Sequence, residues 1–433
     1  MKRRIAAAAA VAATLIGAAA CGSNNEAPQA NPLDGTGKTI KVWLMVDAES
    51  SWKEIVEDAN SRFTAATGAQ VKVEYQQWAN HLTKLDATLA GSDVPDVIEL
   101  GNTEMPKYVF NGAFADLSSY KGRFENSSTW LKGLSGPCEL DGKTWCVPYY
   151  AGARVLIYRT DLFDAAGVKP PTSYQELLAT ADSLKTKNAA DKNFAAFYMP
   201  GAYWYAAMSW VYAEGGQIAT KGADGKWTGT LSDSKAQAGL QKWADLVKNY
   251  SKGDVTKDEN DQDAIWSQGH SAMFYGNGWE SGAVQSQKKD PNDPNSAMVD
   301  TAVKGKVGTV AMPGIPSFLG GSDLGVSTKS QNQALAAEWI KYFTDTKAQE
   351  ALLAKGVLPN ATNLLDKAAQ VKGSEATANA AKSSWFVPMA EKWADVEKAN
   401  VLQQALRDIV TNKKSVADAA KWADEQINQI LNG

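Results

Sequence analysis

Strand and helix patterns alternate from residue 39 onward, and this alternation constrains the fold more than any other feature. Thr39–Val46 reads as a short apolar strand. A helix pattern comes next, with Trp52, Ile55, Val56, Ala59 and Phe63 on one face. Ser51-Trp52-Lys53-Glu54 reads as the capping box that opens it, and Gly68 as its stop. Gln70–Tyr75 and, after another helix, Asp96–Leu100 repeat the strand signal. Such βαβ units imply a mainly parallel sheet with helices on its faces. Ligands of such sheets sit beyond the carboxyl ends of the strands, which singles out the loops after Val46 and Leu100.

The rest of the chain keeps the α/β pattern. Val155–Tyr158 is a further strand, and Ser173-Tyr174-Gln175-Glu176 a second capping box, ahead of the apolar face Leu177, Leu178, Ala181 and Leu184. Leu240–Tyr250 and Gln262–Met273 read as helices and Val307–Met312 as a strand. Ala334–Phe343, Ala348–Leu353 and Val416–Leu431 are helical again. Gly320-Gly321 marks a tight backbone passage. No internal repeat is visible.

Residues 1–20 carry the three-part pattern of an export signal: Lys2, Arg3 and Arg4, an Ala-rich apolar run, then small residues before Cys21. The stretch resembles a lipobox, with Ala18 where Leu is usual, so Cys21 is the expected lipidation site; a cleaved secretory leader is the alternative. Residues 21–37 read as a flexible, polar, Gly/Asn/Pro-rich tether. The chain beyond residue 37 is longer than one core usually organises, and two domains are expected.

Net charge is −4, and −7 without the three leader cations. No basic block grips a phosphate backbone, which argues against nucleic acid. Cys138 and Cys146 flank Asp141-Gly142, a hairpin turn signal, and export permits oxidation, so the pair is expected to form a disulfide, with two separate buried thiols the alternative. Two His residues, His81 and His270, leave little for metal sites or catalytic triads. Fifteen Trp and fourteen Tyr offer flat apolar faces with polar edges, the surface on which a sugar ring stacks.

Several stretches in order resemble one family, the solute-binding lipoproteins of ABC sugar importers that include maltose-binding protein. Trp43–Asp47 resembles the first strand. Asp93-Val94-Pro95-Asp96-Val97 with Gly112–Leu117, and Gly142–Pro148 with Cys146 in place of a Gly, are similar to two further segments. Arg154–Leu178 is similar to the crossing strand and the helix start after it, with Tyr174 in a Trp position. Gly269–Trp279 and Val307–Pro313 with Gly320–Ser327 and Ala336–Phe343 complete the set.

The resemblance implies an α/β, two-lobed periplasmic-binding-protein fold of type II, with mixed, mainly parallel sheets and hinge crossings near Ala153, Gly325 and residue 373. The lobes would comprise 38–153 plus 325–372 and 154–324 plus 373–433. It implies a ligand set of Asp47, Thr103, Glu104, Tyr203 or Trp204, Trp279, Gly320, Gly321 and Trp385, with Arg154 and Trp78 as further candidates. The expectation is a monomeric receptor, without cofactor, metal or catalysis. It would be lipid-anchored on the extracellular face of the cytoplasmic membrane of a Gram-positive bacterium, passing a neutral oligosaccharide, most simply a disaccharide, to permease subunits. Alternatives are an exported carbohydrate-active hydrolase, or the same fold binding a glycerol-phosphodiester.

Overall fold

The computed structural model describes residues 33–258, 262–290 and 296–433. The leader and Cys21 lie outside the described residues. Within them, Thr39–Met45 pairs in parallel with Gln70–Gln76 on one side and Val97–Gly101 on the other. The helix Lys53–Thr67 covers one face: its Ile55, Val56, Ala59 and Phe63 are buried, and Gly68 ends it at φ 74°. The expected Ser51 cap is not used. Trp52 holds the N-cap position, and its indole donates to the Tyr149 hydroxyl at 2.6 Å, so burial of that ring fixes the helix entry. The second box does form at Ser173, whose Oγ accepts from Glu176 N, but the Glu176 carboxylate reaches one residue further back, to Thr172 N and Oγ1.

Two long strands join the halves of the molecule. Cys146–Arg159 and Ser317–Val326 run antiparallel and pair from Gly325↔Cys146 to Leu319↔Ala153, with a bulge between Ser322 and Asp323. At one end Ser317–Val326 pairs with Val97–Gly101 and so completes the first sheet. At the other, Cys146–Arg159 takes Met273–Asn277 and Val307–Val310 as antiparallel neighbours. The sheet is therefore mixed, its parallel part confined mainly to the three strands nearest the N-terminus. The helix expected over 262–273 ends at Trp266, because Gly269 takes φ 89° and Met273 begins a strand.

Each lobe has its own apolar core. One is built from Ile40, Val42, Leu44, Phe63, Trp339 and Phe343 among others. The second is larger, and gathers Trp204, Trp210, Trp243, Trp385 and Trp393 with Leu402, Leu406 and Ile427 from the C-terminal helices. Burying these faces is worth roughly 25 cal/mol per Å² of apolar surface, the main favourable term of folding. The fold starts before the expected end of the tether: Leu33 packs on the first core, and Gly35 N donates to Thr67 O at 2.7 Å. Cys138 and Cys146 are joined by a disulfide, and the Asp141-Gly142 turn between them has both φ values positive, the type I′ geometry a tight hairpin needs.

Candidate functional site

The three parallel strands end at Met45, Gln76 and Gly101, and the residues just beyond each meet in one polar rim. Trp78 Nε1 donates to Asp47 Oδ2 at 2.6 Å. His81 Nδ1 lies 2.6 Å from the Trp78 carbonyl, and its Nε2 lies 2.9 Å from Glu104 Oε2. Gly101 N donates to the same Glu104 oxygen at 3.0 Å. Both His81 partners are acceptors, so the ring satisfies both only as the imidazolium. Burial disfavours that charge, but the hydrogen bond and charge of Glu104 outweigh it and raise the His81 pKa. Thr103 sits half-buried beside Glu104.

Beneath the rim, Glu99 is buried and accepts from Met45 N at 2.8 Å. Burial pushes its pKa up to about 7, against the pull of that hydrogen bond and one from Ser322. Asn102 fastens the rim to the crossing strands: its N donates to Gly321 O, and its Nδ2 to Leu319 O and Gly133 O.

The opposing lobe brings Trp393–Lys398 against Met105–Phe110, and Glu397 within electrostatic reach of Glu104. Trp393 Nε1 donates to Glu397 at 2.6 Å. Burial, aided by the Glu104 charge and opposed by that hydrogen bond, raises the Glu397 pKa to about 7. Arg154 is buried. Its Nε donates to the Tyr203 hydroxyl at 2.7 Å, and its guanidinium lies 4.5 Å from the Tyr205 ring centroid.

Trp279 stands where strand Met273–Asn277 ends, and it is 64% exposed, the most exposed large apolar residue among the described residues. Its ring lies on the crossing strands. A Cβ at Gly152 would come 3.0 Å from Trp279 Cζ3, and Gly152 pairs directly with Gly320. The missing side chain at Gly152 thus leaves room for the indole's benzene edge. Gly321 serves the backbone instead. It takes φ 140°, and a Cβ there would meet Tyr150 O at 2.1 Å, so only glycine passes.

The structure brings together Asp47, Trp78 and Glu104 from the expected set, and holds Trp279 and Gly320 at the crossing. It does not leave the other expected aromatics on an open surface. Tyr203, Trp204 and Trp385 are each 5% exposed or less. Trp385 donates to Ser209 Oγ and stacks on Tyr212, and Trp204 stacks on Tyr205, as second-lobe core. Sequence reasoning missed His81, Glu99, Glu397, Tyr205 and Gly152. His81 had a signal, being one of two His and three residues after Trp78; Glu397 had none, because only tertiary packing brings its helix to Glu104.

Comparison with known proteins agrees with this layout. Residues 43–350 match the family of bacterial extracellular solute-binding proteins. The diacetylchitobiose binding protein DasA of Streptomyces coelicolor is 32% identical over the whole chain and 99% of its own length. A probable ABC transporter-binding protein of Deinococcus radiodurans is 26% identical over 48% of this chain and 49% of its own. Among solved structures, the sugar-binding protein MalE of Xanthomonas citri superposes with a TM-score of 0.75 at 20% identity, covering 91% of this chain and 98% of that one. The GacH receptor of Streptomyces glaucescens, solved unliganded and with acarbose, gives 0.72 at 20% identity over the same shares. The chain belongs to the bacterial extracellular solute-binding proteins, and it is a binding protein rather than an enzyme.

Proposed function

We propose that the protein captures a neutral oligosaccharide, most simply a disaccharide, between its lobes and hands it to the permease subunits of an ABC importer. Trp279 carries this reading: a large exposed indole reaches over Gly152, where the two crossing strands pair. One sugar ring stacks on that face, while Asp47 and Glu104 accept hydroxyl hydrogen bonds from the first lobe and Thr103 and the Gly320 backbone add polar contacts. Tyr203 acts through Arg154 instead of touching the ligand, and Trp204, Gly321 and Trp385 support the site from within the fold. The relative named for diacetylchitobiose and a fold shared with MalE support a neutral sugar.

Ligand contacts to both lobes favour the closed form, which the permease reads. The lobes divide near 153/154, 324/325 and 372/373. Cys21 is lipidated and holds the monomer at the extracellular face of the cytoplasmic membrane of a Gram-positive cell, and Cys138 and Cys146 are oxidised there.

The test is calorimetric titration with diacetylchitobiose and with maltose, on the wild type and on Trp279→Ala. One sugar binds the wild type at micromolar or better affinity, about −8 kcal/mol. Failure of both sugars, or equal binding by the variant, overturns the reading. Release of a Cys21→Ser variant into the medium tests the anchor separately.

A further inference from the structure

Asp323 is the one carboxylate among the described residues that is fully buried with neither oxygen hydrogen-bonded. It stands on the strand Ser317–Val326, where Asp323 pairs with Pro148 and Gly325 with Cys146. Residues two apart on a strand share a face, so the carboxyl group and the Cys146 sulfur lie on the same side of the sheet. The helix Lys132–Cys138 delivers the second sulfur to that spot. Both sulfurs and one Asp323 oxygen fall within 4.8 Å of one another. The cysteines belong to an apolar layer with Ile98, Leu100 and Phe114, where an unpartnered acid is out of place. Burial, and to a lesser degree the charge of Glu99, raises the Asp323 pKa well above the ordinary carboxylate range.

While the disulfide is closed, its sulfurs have no proton to donate and no lone charge to share. Opened, the pair supplies two thiolates beside a carboxylate, a donor set suited to zinc. We propose that in the dithiol state of this chain Cys138, Cys146 and Asp323 hold one thiophilic divalent cation of the zinc class. A chain exported before oxidation carries both thiols, and the cation then displaces the two thiol protons and the carboxyl proton. Oxidation undoes the clasp: the two thiolates give two electrons to an oxidising disulfide, and the Cys138–Cys146 S–S bond forms as the acceptor's S–S bond breaks. The acceptor takes two protons from water and leaves as a dithiol, and the cation is released as Asp323 takes up a third. The trio is therefore a metal clasp in one redox state and a covalent staple in the other, with Asp323 kept for the first.

Cobalt reads this out directly. The full mature chain is refolded under nitrogen after phosphine reduction, freed of phosphine and titrated with Co²⁺. One equivalent should bind, with a strong thiolate-to-cobalt band and the visible bands of a four-coordinate ion, both erased by Zn²⁺. Oxidised protein and Cys146→Ser should show neither band, and Asp323→Asn should bind at least tenfold more weakly. Absence of the bands in the reduced wild type, or equal affinity in Asp323→Asn, overturns the proposal. If Asp323→Asn does not refold, zinc-edge X-ray absorption on the wild-type adduct decides. Two sulfur scatterers at about 2.3 Å with light atoms at about 2.0 Å uphold the assignment, and any other shell overturns it.

Discussion

The two lobes meet the interlobe space with different chemistry. The first presents a hydrogen-bonded polar rim, Asp47–Trp78–His81–Glu104, laid across the ends of three parallel strands. The second is rich in aromatic side chains, yet Tyr203, Trp204, Trp385 and Trp393 are almost wholly buried in one core, where Trp204 packs on Trp393 and both Trp204 and Trp385 pack on Phe318. Among its described residues the exposed ring is Trp279, and the missing side chain at Gly152 leaves room for that ring. An abundance of tryptophan therefore says little about where a ligand stacks. What matters is whether the backbone beside a ring is bare enough to leave its face open.

The contrast between Trp385 and Trp279 is the sharpest place to break this comparison. Trp385→Ala should cost about 3–5 kcal/mol of folding stability, as large aromatic truncations in cores do, read as a lowered denaturation midpoint. Trp279→Ala should leave the melting curve in place and cost about 2–4 kcal/mol of sugar binding instead. Reversed results would exchange the roles of the two lobes.

The polar rim makes its own prediction through pH. Glu99 and Glu397 are raised to about 7, so the folded chain holds more protons than the unfolded one between about pH 4.5 and 7. Their contribution is fully present below about pH 4.5 and is lost as pH rises through 7. The raised pKa of His81 acts in the same direction, its contribution lost as pH rises through the folded value. Melting temperature should therefore fall from pH 5 to pH 8, and Glu397→Gln should flatten the fall by about 1–2 kcal/mol, allowing for solvent screening. A slope unchanged by that variant would show that Glu397 does not take up a proton on folding. Gly152→Ala is the mildest probe. Its Cβ shifts the Trp279 ring by a few tenths of an ångström, with a loss of about 1 kcal/mol in binding and no change in fold.

Much of the architecture was legible because local signals and burial agreed. Gly68 stopped a helix whose apolar face was spelled out at Ile55, Val56, Ala59 and Phe63, and Asp141-Gly142 turned the hairpin that the disulfide closes. The placing of Asp47 and Glu104 was legible because each comes soon after a strand end. It was not where distant segments converge. Glu397 is 293 positions from Glu104, and no spacing links them. Trp385 misled because a late aromatic looks the same in sequence whether it meets a ligand or, as here, Ser209 and Tyr212.

The paired crossing strands also set the mechanics of the molecule. Two ribbons hydrogen-bonded along their length resist sliding and twisting past each other, yet flex across their width, as a leaf spring does. The thinnest section of this spring is the Gly152–Gly320 pair, where neither ribbon carries a side chain. Compliance is thus concentrated beside the Trp279 ring, which covers Gly152. A ligand bound as proposed on Trp279 would lie beside the pivot itself, where its contacts change least as the lobes swing.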